Sequence, residues 1–314
     1  MVSMSERVAT YTCAVSSTSK MGQTPRDRVT QIPLPTRSTE AGADCEGRTY
    51  LSYLREDQVR PASFFILGDV LHRAIQSSIV DNWTLDRAKA EITTMIDQAL
   101  EPHRNTIIVE GMQRSVASMP EDADRMITNW FAHVHPDSDK RHPFYDDYQW
   151  PPATEVPFYK ANLGTRFPVW GSVDTLFAHK DNVGTAIVDW KSGVKKPPTQ
   201  FQLDYYRFGM EAPQAVAAYH MLDRVRKQSI VLEADPYPGD LYIREAISST
   251  ERTKQQVVAG VLPKFSPGWQ CNYCPVQHIC PADGDTRNRS KNERDFKKVL
   301  AQAEALEWET DLVL

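Results

Sequence analysis

The chain has 314 residues, of which 41% are hydrophobic and 25% charged, and this balance predicts an ordinary globular protein and excludes a fibrous or wholly disordered one. A formal net charge of −5 argues against a surface coated with basic side chains, although it leaves room for a local basic cleft. No apolar run reaches the length of a membrane span and no signal peptide opens the sequence, so we expect a cytoplasmic protein without membrane contact.

The first part of the chain is predicted to be a disordered leader followed by helices. Residues 1–40 are rich in Ser, Thr, Arg and Pro without an apolar period, and Cys13 within them is expected to be a bystander. Residues 41–150 are predicted to be a helical region because apolar residues recur at helical spacing. The predicted elements are helices over Arg48–Leu54, Ser63–Val80 with Ser63 as N-cap, Thr84–Leu100 and Glu121–Val134, and then a long loop over Val134–Pro152.

The pattern changes to strands after residue 150. The predicted elements are strands Glu155–Tyr159, Phe167–Ala178 and Thr185–Trp190, a helix over Gln200–Met210, a hairpin of Ala215–Leu222 and Gln228–Leu232, and a helix over Leu241–Val258. We therefore predict an α/β core over residues 151–262, with a central mixed, mostly antiparallel sheet flanked by helices. A cysteine segment over residues 263–285 and a charged helix or tail over residues 286–314 are expected to follow.

A carboxylate–lysine pattern lies on two of these strands. Gly171-Ser-Val-Asp174 is followed, fifteen residues after the aspartate, by Asp189-Trp190-Lys191. Paired strands lie about 5 Å apart, so Asp174 and Asp189 can converge on one metal ion, and carboxylate oxygens suit Mg²⁺ or Mn²⁺. Lys191 points to the same face as Asp189 and can orient the attacking water or hold a phosphate. The main-chain carbonyl of Trp190 is a natural further ligand.

The residues around this pattern distinguish it from an accidental Asp-x-Lys tripeptide. Ile187 and Val188 are apolar, so Asp189 ends a buried strand, and a buried charge needs a partner or a metal. Glu155, on the preceding strand, is an additional candidate to assist the metal.

Taken in order, these motifs resemble the RecB-like branch of the PD-(D/E)xK nucleases. The resemblance spans roughly Cys45 to Cys280, and it includes Gly68-x-x-x-His72 upstream and Gln202-x-x-x-Tyr206 downstream. It implies a restriction-endonuclease-like core and metal-dependent hydrolysis of DNA. The implied roles are metal ligation by His72, Asp174, Asp189 and the Trp190 carbonyl, catalysis by Asp174, Asp189 and Lys191, and substrate contact or support of the active site by Gln202 and Tyr206.

The cysteine spacing predicts a metal centre. Five cysteines in a chain without an export signal make a poor disulfide framework. Cys271-x-x-Cys274, followed after five residues by Cys280, can reach one centre from tight turns, and Cys45 is the ordered cysteine left to complete it. An iron–sulfur cluster and a structural zinc ion, the latter with His278 as a ligand, are both open.

The one-plus-three arrangement resembles the iron–sulfur nucleases, namely the CRISPR-associated Cas-four exonucleases and the AddB-type helicase–nuclease subunits. Cys45-Glu-Gly-Arg48 is similar to the first-cysteine motif of that branch. The resemblance implies a 4Fe–4S cluster on Cys45, Cys271, Cys274 and Cys280, which would close the two ends of the chain.

The predicted function is a DNA exonuclease that prefers single-stranded ends, in recombination, repair, replication, or phage or CRISPR DNA processing. Acidity disfavours a broad duplex-binding face, while Lys191 and the aromatic residues Trp190, Phe201, Tyr205 and Tyr206 suit one threaded strand. The sequence has no phosphate-binding Gly-Lys-Ser/Thr loop, so a helicase or recombination motor would be a partner. Two alternatives are a structure-specific endonuclease and a non-catalytic DNA-binding module with the same fold.

Overall fold

The computed structural model describes residues 45–48, 50–52, 54–55, 58–110, 115–160, 169–193, 200–222, 231–261, 263–281, 294, 296–298 and 301. The predicted leader, Cys13 included, lies outside these residues, as does most of the predicted C-terminal tail.

Three helices form a layer on one side of the sheet: α1 (Ser63–Val80), α2 (Leu85–Leu100) and α3 (Met119–Val134). Their bounds lie within two residues of the predicted ones. Buried residues of α1 recur every three or four positions, which is the spacing of one helix face packed on a core. None of the described helices is long and apolar enough to cross a membrane.

The prediction that Ser63 caps α1 is wrong. Ala62 holds the N-cap position with an extended backbone and no side-chain cap. The N–H of Ser63 instead donates to the carbonyl of Val109 at 3.0 Å, so a neighbouring segment satisfies the first helical donor. Thr84 does cap α2, because its hydroxyl accepts the N–H of Arg87 at 3.3 Å.

The sheet has five strands in the order β1 to β5: Ala153–Lys160, Val169–Ala178, Thr185–Lys191, Val216–Met221 and Val231–Glu233. β3 and β4 are parallel, and the other neighbours are antiparallel. A parallel pair needs a crossover connection, and the segment containing α4 (Phe201–Gly209) provides it. The predicted α/β fold, a mixed sheet flanked by helices with a helical N-terminal region, is confirmed.

β3 is buried on both faces of the sheet, and the two cores that cover it show toward which face Asp189 and Lys191 point. Val188 and Trp190 belong to the core under α1–α3, whereas Ile187 belongs to the core on the side of α4. Because side chains alternate along a strand, Asp189 and Lys191 point with Ile187 toward α4.

After α5 (Asp240–Val258), the chain packs against the first described residues. The N–H of Gly47 donates to the carbonyl of Lys264, and the carboxylate of Glu46 accepts the N–H of Lys264, both at 3.0 Å. A Cβ at position 47 would come within 2.2 Å of the Phe265 ring, so this approach requires glycine. The contact is backed by a third core made of Tyr50, Leu51, Leu54, Val257, Val276 and Phe296.

Candidate active site

A cleft of about 710 Å³ opens between α1, the first three strands and α4. The predicted active-site side chains line it: His72 from α1, Asp174 from β2, Asp189 and Lys191 from β3, and Gln202 and Tyr206 from α4. The fold therefore gathers at one cleft a set of residues that is spread over more than 130 positions of the sequence.

Three groups at this cleft can share one metal ion. Nδ1 of His72 lies 3.6 Å from Oδ2 of Asp174. Ligand atoms of His72, Glu155 and Asp174 all lie within 4.8 Å of one another. One imidazole nitrogen and two carboxylates suit a hard or borderline divalent cation such as Mg²⁺ or Mn²⁺. Two predicted ligands, His72 and Asp174, thus meet, and Glu155 joins them.

Glu155 is more prominent in the structure than the sequence indicated. The register of β1 and β2 places it across from Asp174. Its backbone φ is 46°, in the left-handed region that residues other than glycine rarely adopt. The hydroxyl of Ser172 donates to its Oε2 at 2.9 Å. The sequence named Glu155 only as an additional candidate, because its place opposite Asp174 depends on strand register, which the sequence of the intervening segment does not fix.

Lys191 is held by a polar network on the side of α4. Its Nζ lies 2.7 Å from Oδ2 of Asp189 and donates to Oε1 of Gln202 at 2.6 Å. Nε2 of Gln202 donates to Oδ1 of Asp189 at 2.7 Å, and the hydroxyl of Tyr206 donates to the same oxygen at 3.3 Å. Asp189, Gln202 and Tyr206 are all buried. Gln202 and Tyr206 therefore orient the acid and the lysine.

The backbone of Trp190 lies between the two groups. Its N–H donates to Oδ2 of Asp174 at 2.9 Å. Its carbonyl oxygen lies 3.0 Å from Nε2 of His72 and therefore accepts a hydrogen bond from that nitrogen. The carbonyl that was predicted as a metal ligand thus lies beside the histidine predicted for the same role.

The prediction that aromatic residues near Lys191 stack on bases is wrong. Trp190, Phe201, Tyr205 and Tyr206 are each at least 94% buried. All nine residues of α4 are buried, because this helix is enclosed by the sheet on one side and by further chain on the other. These rings contribute to the two cores that support the cleft, and Tyr206 reaches its neighbours by its hydroxyl.

Carboxylates outnumber permanent cations in the cleft. The charged lining residues other than His72 are Asp69, Glu155, Asp174, Asp189, Arg73 and Lys191. Burial first, and then the neighbouring charge of Asp189, raises the pKa of Asp174 to about 7. Carboxylates this close are costly to keep ionised without a compensating cation, so the donor set and its charge both fit a divalent metal.

The cysteines predicted to hold a cluster lie in the contact between the two ends of the chain. Cys274 and Cys280 pack against the third core. Burial raises the pKa of the Cys274 thiol, and the nearby Cys45 and Cys271 thiols act in the same direction. Within the described residues, the four thiols form no group with ligand spacing, so the cluster stays a prediction. His278, the candidate for a zinc site, is exposed.

Comparison with known proteins identifies one family. The model of the PD-(D/E)XK nuclease superfamily matches residues 37–281. No curated protein matches the chain significantly. A solved structure described as "Crystal structure of SSO0001" is 22% identical, over 42% of this chain and 61% of that one, with a TM-score of 0.30. The chain thus spans less than two thirds of that structure, whereas the family match covers most of the chain.

Proposed function

The chain belongs to the PD-(D/E)XK nuclease superfamily, and we propose that it is a metal-dependent deoxyribonuclease that hydrolyses phosphodiester bonds in this cleft. One observation carries the proposal. His72, Glu155 and Asp174, whose ligand atoms are spaced so that they could hold one metal ion, lie in the same cleft as a lysine held by a buried acid. A nucleic-acid substrate follows from the superfamily, and DNA is our narrower choice.

We propose that His72, Asp174 and Glu155 hold a Mg²⁺ or Mn²⁺ ion, joined by the carbonyl of Trp190 and by Asp189. Oδ1 of Asp189 accepts from Gln202 and Tyr206, which leaves Oδ2, next to the lysine amine, for the ion. When bound, the ion supplies charge to the phosphate and makes a coordinated water more acidic. The N–H at Nε2 of His72 donates to the Trp190 carbonyl, which leaves the lone pair of Nδ1, the nitrogen beside Asp174, for the ion.

Lys191 is the side chain that we propose acts directly on the attacking water or on the phosphate. Its amine is fixed by Asp189 and Gln202, so its position in the cleft is set before substrate arrives. From there it can hydrogen-bond to the attacking water or to a phosphate oxygen, where it would offset the negative charge that develops during hydrolysis. Gln202 holds Asp189 and Lys191 in position by hydrogen bonds, and Tyr206 adds a second bond to Asp189.

The proposed substrate is the end of a single DNA strand, and the proposed reaction is exonucleolytic. The support is the charge of the chain, because a net charge of −5 does not provide the many phosphate contacts of a broad duplex-binding face. A helicase or recombination partner would supply such ends. A structure-specific endonuclease and a non-catalytic DNA-binding module are the competing functions.

We also propose that Cys45, Cys271, Cys274 and Cys280 hold a 4Fe–4S cluster with a structural role. The supporting observations are the hydrogen bonds between Glu46–Gly47 and Lys264, and the packing of Cys274 and Cys280 against the core that joins the two ends of the chain. A structural zinc ion is the alternative.

A comparison of DNA forms tests the proposed reaction. Purified protein with Mg²⁺ or Mn²⁺ should degrade linear single-stranded DNA fastest, and should leave covalently closed single-stranded circles intact because they have no end. Rapid cutting of the circles would replace the exonuclease with the endonuclease alternative. Absence of cleavage of every form would favour the non-catalytic alternative.

A further inference from the structure

Two phenylalanines stand at the mouth of the candidate active site. Phe64 and Phe65 lie in the first turn of α1, and both line the cleft. Phe65 is 51% exposed. Among the large hydrophobic side chains that are exposed in the described part of the chain, Phe65 is the one that lines this cleft. Single exposed apolar residues are common, so its location is what needs an explanation.

The position of Phe65 on α1 relates it to the metal-ligating group. Phe65, Gly68 and His72 follow one another at spacings of three and four residues, so they share one helix face. Seven residues of α-helix correspond to a rise of about 10 Å. The ring therefore lies near the proposed reaction centre but not on it, where it would meet a nucleotide next to the one being cleaved.

Phe64 supports the ring of Phe65. The two ring centroids lie 4.5 Å apart with the rings tilted by 51°, and Phe64 is the more buried of the pair. Because Phe64 packs against one side of the Phe65 ring, the other face of Phe65 can contact a base while the ring keeps its contact with Phe64. Bases stack on such faces without regard to sequence, because every base has a π-surface.

Carboxylates outnumber permanent cations in the cleft, but the first turn of α1, where Phe65 lies, contains no acidic side chain. The positive end of the helix dipole lies in the same turn, and it attracts phosphate groups. A DNA strand can thus pass Phe65 with a base toward the ring and without a carboxylate of this turn beside its backbone.

We propose that Phe65, supported by Phe64, is a stacking platform for an unpaired base beside the cleavage position, and that it gives the enzyme its preference for single-stranded DNA. This inference rests on the proposed function and names a determinant of its specificity. The faces of bases inside a duplex are covered by their neighbours, so an exposed ring gains contact only with unpaired or terminal bases. The platform therefore favours a single strand over a duplex of the same charge.

The test measures binding apart from cleavage. In a Lys191→Ala background, which is proposed to bind DNA but to cut it more slowly by about 100-fold or more, labelled single-stranded and duplex oligonucleotides are titrated with Mn²⁺ present. Phe65→Ala should weaken single-strand binding about 5- to 150-fold, the range for one lost stacked base, and leave duplex binding unchanged. Phe65→Trp should restore single-strand binding, since it keeps a flat ring. A single strand that carries a fluorescent base analogue near the cleavage position should lose its stacking signal with Phe65→Ala, but not with the parent or with Phe65→Trp.

Leu241→Ala is the matched control, because Leu241 is 80% exposed on α5 and does not line the cleft. It should leave both affinities unchanged. Equal affinity of Phe65→Ala and its parent for single strands, or an equal loss on single strands and duplex, would overturn the stacking role while leaving the nuclease proposal intact. Failure of the wild-type protein to bind or cleave any DNA would overturn both.

Discussion

Glu155 has an unusual backbone conformation, and its carboxylate lies close to His72 and Asp174. A non-glycine residue in the left-handed region costs on the order of 1–3 kcal/mol, which the surrounding structure must offset. The neighbouring strand pairs and the bond from Ser172 hold the residue in place. Because Asn82, Asn182 and Glu211 also have positive φ and do not line the cleft, the case for Glu155 rests on its ligand atom near His72 and Asp174.

Glu155→Gln should raise the Mn²⁺ concentration needed for half-maximal cleavage by about 10- to 100-fold, as for other lost contacts at metal sites. The amide keeps the size and the bond from Ser172 but removes the charge. Metal titration of the cleavage rate measures the effect. Glu245→Gln, an exposed change on α5, serves as the control and should match wild type. An unchanged metal requirement for Glu155→Gln would exclude Glu155 from the site.

Not every residue of the cleft could be read from the sequence. Asp174, Asp189 and Lys191 follow from residue type and spacing within two adjacent strands. Residue type and position on the preceding strand make Glu155 only a candidate, because its place across from Asp174 depends on the register between β1 and β2. Phe65 could not be predicted, since helical periodicity shows which helix face a residue occupies but not which cleft that face borders.

At the level of elements, one aromatic ring couples the sheet to α4. Phe158 on β1 packs between Gly171 on β2 and Gly209 at the end of α4. A Cβ at Gly171 would come within 2.6 Å of the ring, and one at Gly209 within 2.3 Å. The glycine that opens the Gly-x-x-Asp motif thus allows the close packing of the Phe158 ring behind the site.

Gly209→Ala should lower the free energy of unfolding by about 1–3 kcal/mol, because the new methyl group overpacks the Phe158 ring. Urea denaturation followed by circular dichroism measures this change. Gly184→Ala is the matched control, since a Cβ there meets nothing within 4 Å, and it should be nearly neutral. In a Phe158→Leu background the penalty of Gly209→Ala should shrink. A neutral Gly209→Ala in the wild-type background would contradict the packing account.

The identities and bounds of the elements were more predictable than the contacts that hold their ends. α1–α3 carry apolar residues at helical spacing, which is a property of the local sequence. The N-terminus of α1 is different, because Val109, a residue more than forty positions away, satisfies the N–H of Ser63. Likewise, every residue of α4 is buried because the fold encloses this helix. Its aromatic rings, which the local sequence suggested for base stacking, therefore lie in the core.

At the level of the whole molecule, the contact between the two ends of the chain is where the cysteines lie. Closing a loop of more than two hundred residues is costly in entropy, and this core is small. Metal–thiolate bonds between Cys45 and the C-terminal cysteines would stabilise such a closure. The spacing of the cysteines predicts the ligands, whereas the identity of the metal depends on chemistry that spacing does not encode.

Protein purified without oxygen should be brown and contain iron and sulfide in similar amounts. Cys45→Ala should remove the colour and lower the melting temperature, because it releases the N-terminal segment. Cys13→Ala should change neither property. Absorption spectra, metal analysis and thermal denaturation provide the readouts. Stoichiometric zinc without iron in anaerobic material would replace the cluster with the structural zinc alternative.

One cleft is proposed both to bind a divalent cation and to use Lys191 to hydrolyse DNA. Both roles are tested by calorimetric Mn²⁺ binding and by cleavage of a linear single strand, measured together on wild type, Asp174→Ala and Lys191→Ala. Asp174→Ala should lose both properties. Lys191→Ala should keep Mn²⁺ binding while its cleavage rate falls about 100-fold or more, as expected when one charge-stabilising donor is removed. Wild-type cleavage by either variant, or no Mn²⁺ binding by the wild-type protein, would contradict the account.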